Sequence, residues 1–267
     1  MSKDSEKNTV PSQKPGLSRY SSDLIKRGLD LANKSQFVNS KSLQPPQAPS
    51  IQADAEELSK CGNEKYNRGD YQGALDDYTQ ALRINPNHAN VYYNRGMARY
   101  KLGDYQGAID DHTQSLRIDP NDASIYHSRG ELSAKLGCYK SAIDDYTQSL
   151  RIDPDYCWSY QSRGEVLYKL GDRQSTIDDC TQILRVCPPS NSIMSMDNFL
   201  RRDAYHLRGK ARFELGDYQD AIDDYTQLLQ IGLISNVEAY KGRSMARSAL
   251  GDYKGAIEDL QRAANQE

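Results

Sequence analysis

The chain has 267 residues, 37% of them hydrophobic and 27% charged, with a formal net charge of −3. So low a hydrophobic fraction argues against one thick core, and the near balance of charge argues against a nucleic-acid footprint, which needs clustered Lys and Arg. The N-terminus lacks the apolar run of a signal peptide and no stretch approaches a membrane span. The five cysteines, Cys61, Cys138, Cys157, Cys180 and Cys187, are odd in number and show no C-x-x-C pair, so a soluble, cytoplasmic protein with reduced thiols is expected.

Residues 1–54 hold five of the ten prolines and eight Lys/Arg against five Asp/Glu, whereas the rest of the chain has 26 against 32. This Ser-, Lys-, Gln- and Pro-rich segment buries too little apolar surface to offset the entropy of ordering, so it is expected to be disordered. Within it, Leu24, Ile25, Leu29 and Leu31 could line a short helix opened by Ser22. The interior Gly28 costs such a helix roughly 1 kcal/mol, so the helix is expected only if it docks on something.

From residue 55 onward one phrase recurs, clearest as LGDYQGAIDDHTQSLRIDP over 102–120. Its marker glycines, Gly69, Gly103, Gly137 and Gly171, are 34 residues apart, and Gly216 and Gly251 follow after 45 and 35. A period of that length marks a stacked array in which no unit buries its apolar face alone. The spacing predicts six units, at 55–88, 89–122, 123–156, 157–190, 202–235 and 237–267.

In the second unit a helix is predicted from about Asn90 to Leu102, with Gly96 allowing close approach of its partner. A second helix carries Tyr105, Ala108, Ile109, His112, Ser115 and Leu116 on one stripe. Gly103 can end the first helix in the left-handed conformation and Asp104 can cap the second. Pro120 stops it and restricts Asp119.

The spacing of Tyr92, Gly96, Gly103, Tyr105, Ala108 and Pro120 resembles the tetratricopeptide repeat family, and the LGDYQGAIDDYTQ wording is similar to arrays common in cyanobacterial proteins. The resemblance implies an all-α fold, a right-handed solenoid of helix-turn-helix units. It also implies a concave groove, lined by each first helix, that holds a protein or an extended peptide. By the family's pattern the groove includes Asn63, Tyr66, Tyr93, Asn94, Met97, Tyr100, Lys101, His127, Glu131, Lys135, Trp158, Glu165, Tyr168, Lys169, His206 and Phe213. The aromatics are the favoured anchors. Glu131 and Glu165 stand four residues before Lys135 and Lys169, the order that favours intrahelical pairs, leaving Lys101 without one. Asn63 and Asn94 match two positions of a clamp that some members use on chaperone C-termini. Serines 59, 124 and 128 replace its basic residues, so Asn94 is expected to bond a peptide backbone instead.

Two polar ladders accompany the units. Arg95, Arg129, Arg163, Arg208 and Arg243 stand where the family usually has leucine, and acid pairs from Asp76/Asp77 to Glu258/Asp259 recur in the second helices. Pairing of each arginine with a second-helix aspartate is favoured over an anion track. The fourth unit loses its signature at Arg173, Thr176 and Cys180 and is followed by an insertion at 191–201, read as a hinge or a loop, in which Asp197 could cap an early helix start and Phe199 and Leu200 extend it. The last unit, ending in Ala263, Ala264, Asn265 and Gln266, has a thinned outer face.

No convergent acid, base and nucleophile, phosphate loop or zinc spacing is present in the motifs, and His112 is expected as a hydrogen-bonded core residue. The sequence therefore predicts a non-catalytic scaffold or assembly factor without cofactor, metal, nucleic acid or membrane among its ligands. The alternative is a structural protein that self-associates weakly through the array ends or the 191–201 insertion.

Overall fold

The computed structural model describes residues 51–190, 195–232 and 236–266, all within one unit of the chain, Pro49–Glu267. The expected helix around Ser22–Lys34 and residues 1–50 of the segment expected to be disordered lie outside the described residues, whereas its last four, 51–54, are already helical. Among the described residues twelve helices follow one another: α1 Ile51–Asn67, α2 Tyr71–Ile84, α3 Ala89–Lys101, α4 Tyr105–Ile118, α5 Ala123–Lys135, α6 Tyr139–Ile152, α7 Cys157–Leu170, α8 Arg173–Val186, α9 Met196–Leu215, α10 Tyr218–Ile231, α11 Val237–Ala249 and α12 Tyr253–Ala264. Among the described residues there is no strand.

Each hairpin is made by local chemistry repeated in sequence. Gly103 has φ +84°, a region closed to most side chains, and so turns the chain out of α3. Asp104 then accepts the Gly107 amide at 2.9 Å, satisfying one of the free donors of α4. Asp70, Asp172 and Asp252 do the same for their helices. At the other end Asp119 is extended, with φ −126°, as its position before Pro120 requires. Cys138 stands in the cap position of α6 and supplies no side-chain cap.

Successive helices pack as antiparallel neighbours, first helix on second and second on the next first. First helices of neighbouring units also touch, as α1 does α3, α5 does α7, α7 does α9, and α9 does α11, while no pair of second helices meets to a similar extent. The first helices therefore form the inner, concave wall and the second helices the outer one. The thin core lies between them, with Ala74, Ala108, Ala142 and Ala221 fully buried at the helix crossings.

The insertion after the fourth unit is partly helical. Ser195, rather than Asp197, caps α9 by accepting the Asn198 amide, and the early start adds Leu200, buried against Cys180, Ile183 and Ala204. Arg201 donates to the carbonyls of Leu184 and Cys187 at 2.8 and 2.9 Å, tying α9 to the end of α8.

Two expectations are corrected. Cys157 and Cys187, at the start of α7 and just past the end of α8, are joined as a disulfide, leaving Cys61, Cys138 and Cys180 free, so five reduced thiols are not what the fold holds. The outer face of the last unit is not thinned either. Tyr253, Ile257 and Leu260 are 67%, 56% and 50% exposed, because no described helix packs over the face that is covered at Tyr78 and Tyr146 in earlier units.

Candidate functional site

The arginine ladder is an internal brace. Arg95 donates from Nε and Nη2 to Asp111 at 2.9 and 2.6 Å, and Arg129, Arg163, Arg208 and Arg243 hold Asp145, Asp179, Asp224 and Asp259 in the same forked way. Each Nη1 reaches back to a threonine of the preceding second helix, Thr79, Thr113, Thr147, Thr181 or Thr226, so one side chain bridges two units. Each guanidinium also lies 5.5–5.8 Å from the ring of the tyrosine three residues earlier, a favourable cation–π placement. With its donors engaged, the row does not offer an anion track. Only the second acid of each pair takes part. The first, as at Asp110, faces outward and accepts from Gln106 at 3.1 Å.

Among the described residues the inner wall carries several cavities, three of them lined by predicted tyrosine or phenylalanine side chains. One of about 370 Å³ is lined by Asn63, Tyr66, Tyr93, Asn94 and Met97. Asn63 Oδ1 accepts from the Tyr78 hydroxyl at 2.7 Å and from Asn94 at 3.0 Å, so Asn94 has one donor already committed. The second, about 310 Å³, is lined by Met97, Tyr100, Glu131, Lys135, Glu165 and Lys169 among the predicted residues, together with His112. The third, about 230 Å³, includes Phe213, with His206, Glu214, Glu238 and Met245. Lys101, Trp158 and Tyr168 line none of these three. Lys101 lies over the Tyr100 ring at 5.7 Å, and Trp158 is 40% exposed. Tyr168 bonds Glu214, and Arg173 stacks 4.0 Å above its ring. Arg173 thus replaces the tyrosine-on-aromatic contact seen as Tyr66/Tyr71, Tyr100/Tyr105 and Phe213/Tyr218.

The intrahelical pairing expected for Lys135 is replaced by a contact across units: its Nζ donates to the Tyr100 hydroxyl at 3.3 Å and lies 5.1 Å from that ring. His112 is a core residue as expected but not a hydrogen-bonded one. It stacks on Tyr93 at 5.3 Å; its backbone contact with Tyr93 falls short of hydrogen-bond geometry, and neither ring nitrogen has a partner among the described residues. His127 is not on the open groove surface. It is buried between Tyr146 and Tyr156, with Nδ1 3.2 Å from the Ser159 hydroxyl. The part of the groove missed in the sequence lies in the last unit, where Met245 occupies the position of Met97, two residues after the ladder arginine.

Burial lowers both His112 and His127 from 6.5 to about 4, the Arg129 charge adding to the effect at His112. The folded state therefore binds fewer protons than the unfolded one between these values. Stability is full above pH 6.5 and falls as pH drops toward 4, by about 1–2 kcal/mol per histidine at pH 5. Urea melts at pH 7 and pH 5 should show a smaller loss in His112→Tyr than in the wild type. An equal loss would mean that His112 is not buried neutral.

The architecture is an α-solenoid of helical hairpins with several cavities along its inner wall. Family models for the tetratricopeptide repeat match residues 62–103, 89–122, 123–156 and 202–232, and the chain is a tetratricopeptide repeat protein. Similar solved structures include MamA (22% identity, TM-score 0.58, 67% of this chain and 91% of that one). YrrB, described as a tetratricopeptide repeat protein with an unusual peptide-binding site, is 17% identical (TM-score 0.61, 71% and 92%). PilF of Pseudomonas aeruginosa is 13% identical (TM-score 0.59, 81% and 99%). At these identities the likeness concerns the fold. No curated protein matches the sequence. Among the described residues no helix is long and apolar enough to cross a membrane, and no group of three or more His, Cys, Asp or Glu is placed to hold a metal.

Proposed function

We propose that the protein is a non-catalytic scaffold that holds an extended segment of a partner protein against the inner wall of first helices. The observation that supports this most is the row of half-buried aromatic and amide side chains, Tyr66, Tyr93, Asn94 and Tyr100, opening into cavities of about 370 and 310 Å³. Rigid aromatics with an apolar body and a polar tip are the residues that dominate binding energy when a segment buries them. Trp158, Tyr168, Lys169 and Phe213 extend the surface toward the fifth unit, and Lys101 and Lys135 supply cations near Tyr100. The cytoplasmic setting expected from reduced thiols loses that support with the Cys157–Cys187 disulfide.

Affinity capture from native lysate with the full chain tests it, beside a variant carrying Tyr100→Ala, Lys101→Glu and Trp158→Ala whose helicity and melting match the wild type. A partner held by the wild type and lost by the variant is the expected result. A partner held equally by both would move the site to the outer face. The uncovered stripe Tyr253, Ile257 and Leu260 favours a second reading, self-association through the last unit. Capture of no partner, with a light-scattering mass that rises with concentration unless Ile257 is changed to Glu, would establish that reading instead.

A further inference from the structure

The cavity of about 310 Å³ lies where the second-helix stripe breaks its own rule. Tyr78, Tyr146 and Tyr225 fill this stripe position in three other units, buried to 1–3% exposure, and the Tyr78 hydroxyl reaches Asn63 on the inner wall. In the second unit the residue is His112, whose ring ends short of the place a phenol oxygen would occupy. The imidazole is 1% exposed, lines the cavity, and has both nitrogens unpartnered among the described residues. A buried polar group left unmatched in this way is costly, and a ligand that bonds it recovers the loss.

The walls add two carboxylates and two lysines whose charges are not closed into ion pairs among the described residues. Glu131 and Glu165, one from each of α5 and α7, both face the cavity. Desolvation by the concave wall raises the Glu131 carboxyl, Lys135 opposes this, and the Glu165 charge raises it further. The nearest basic group to Glu131 is the neutral His127, 3.7 Å away. Glu165 accepts from Gln161 at 3.2 Å, and among the described residues neither glutamate forms an ion pair with a lysine or arginine. Lys135 is drawn aside to Tyr100 and lies over the Tyr105 ring, and Lys169 also lines the cavity.

We propose that this cavity takes an arginine side chain of the bound segment, its guanidinium set between Glu131 and Glu165 and donating also to the acceptor nitrogen of His112. The inference rests on the groove reading above. A guanidinium is planar, has five donors and no acceptor, and matches two carboxylates and one imidazole acceptor. Its methylene stem can lie along Met97 and Val166, which also line the cavity. An acidic side chain here would meet two carboxylates, so the same residues select against it.

Selection of random dodecapeptides displayed on phage against the full-length protein tests this. Wild type should enrich arginine at one position of the recovered sequences. In a titration of one recovered peptide, Arg→Lys should weaken binding about tenfold and Arg→norleucine by more than that. Both preferences should vanish in the Glu131→Gln/Glu165→Gln variant and in His112→Tyr, where the phenol fills the cavity. Recovered peptides without an arginine preference, or with one that survives the double glutamine variant, would overturn the inference and leave the groove reading standing. Failure to recover any peptide would overturn both.

Discussion

Asp224→Ala is expected to destabilise the protein by about 3–5 kcal/mol, the range for removing one partner of a buried ion pair. Asp224 is 2% exposed and holds two arginines: Arg208 through Nε and Nη2, and Arg212 through Nη1 at 2.7 Å. Truncation leaves both guanidiniums largely buried without a carboxylate and removes the anchor from which Arg208 bridges to Thr181 of the fourth unit. Because stability in such an array is a sum of unit and neighbour terms, the urea transition should broaden as the last two units uncouple from the rest. Asp223→Ala is the internal control. That side chain is exposed and accepts only from Gln219, so its loss should stay within about 0.5 kcal/mol. Equal effects of the two substitutions would show that the ladder is not the brace between units.

Tyr146→Ala should cost about 3–5 kcal/mol through the cavity it leaves. The ring is 1% exposed and packs so closely on α5 that a Cβ on Gly130 would come within 2.7 Å of it. Gly130→Ala should therefore be destabilising too, since overpacking costs about 1–3 kcal/mol against a gain of about 1 in helix propensity. The fourth unit supplies the contrast. There Cys180 stands in the tyrosine position, and the nearest atom to a Cβ on Gly164 is 3.5 Å away, so Gly164→Ala should be neutral or stabilise by up to about 1 kcal/mol. If Gly164→Ala proved as damaging as Gly130→Ala, the glycine would be serving something other than the ring opposite.

These contrasts separate what could be read in the residues from what could not. The period, the left-handed Gly103, the cap at Asp104 and the stop before Pro120 are local properties, and local properties are written in neighbouring residues. The arginine partner was half legible. That each arginine pairs with a second-helix aspartate followed from its burial, and Asp111 could have been picked from Asp110, since it lies three residues after Ala108 and four before Ser115, beside the buried stripe. Contacts between units were not legible. Lys135 looks like a partner of Glu131 along one helix, but stacking of first helices puts Tyr100, a period earlier, within its reach. The Cys157–Cys187 link is of the same kind, since 30 residues separate the two cysteines and only the hairpin brings them together. The cavity beside His112 is likewise made between units, since its walls come from α3, α5 and α7. In the last unit, the exposure of Tyr253, Ile257 and Leu260 depends on whether another helix packs over α12, which no neighbouring residue in the chain encodes.

The claim that the inner wall is the binding surface is tested most directly by site-specific photocrosslinking of a captured partner. A benzophenone side chain at Met97, on the inner wall between two cavities, is compared with one at Asp144, exposed on the outer helix α6. Crosslinks from position 97 and none from position 144 are the predicted result. Crosslinks from 144 alone would place the partner on the second helices and contradict the account.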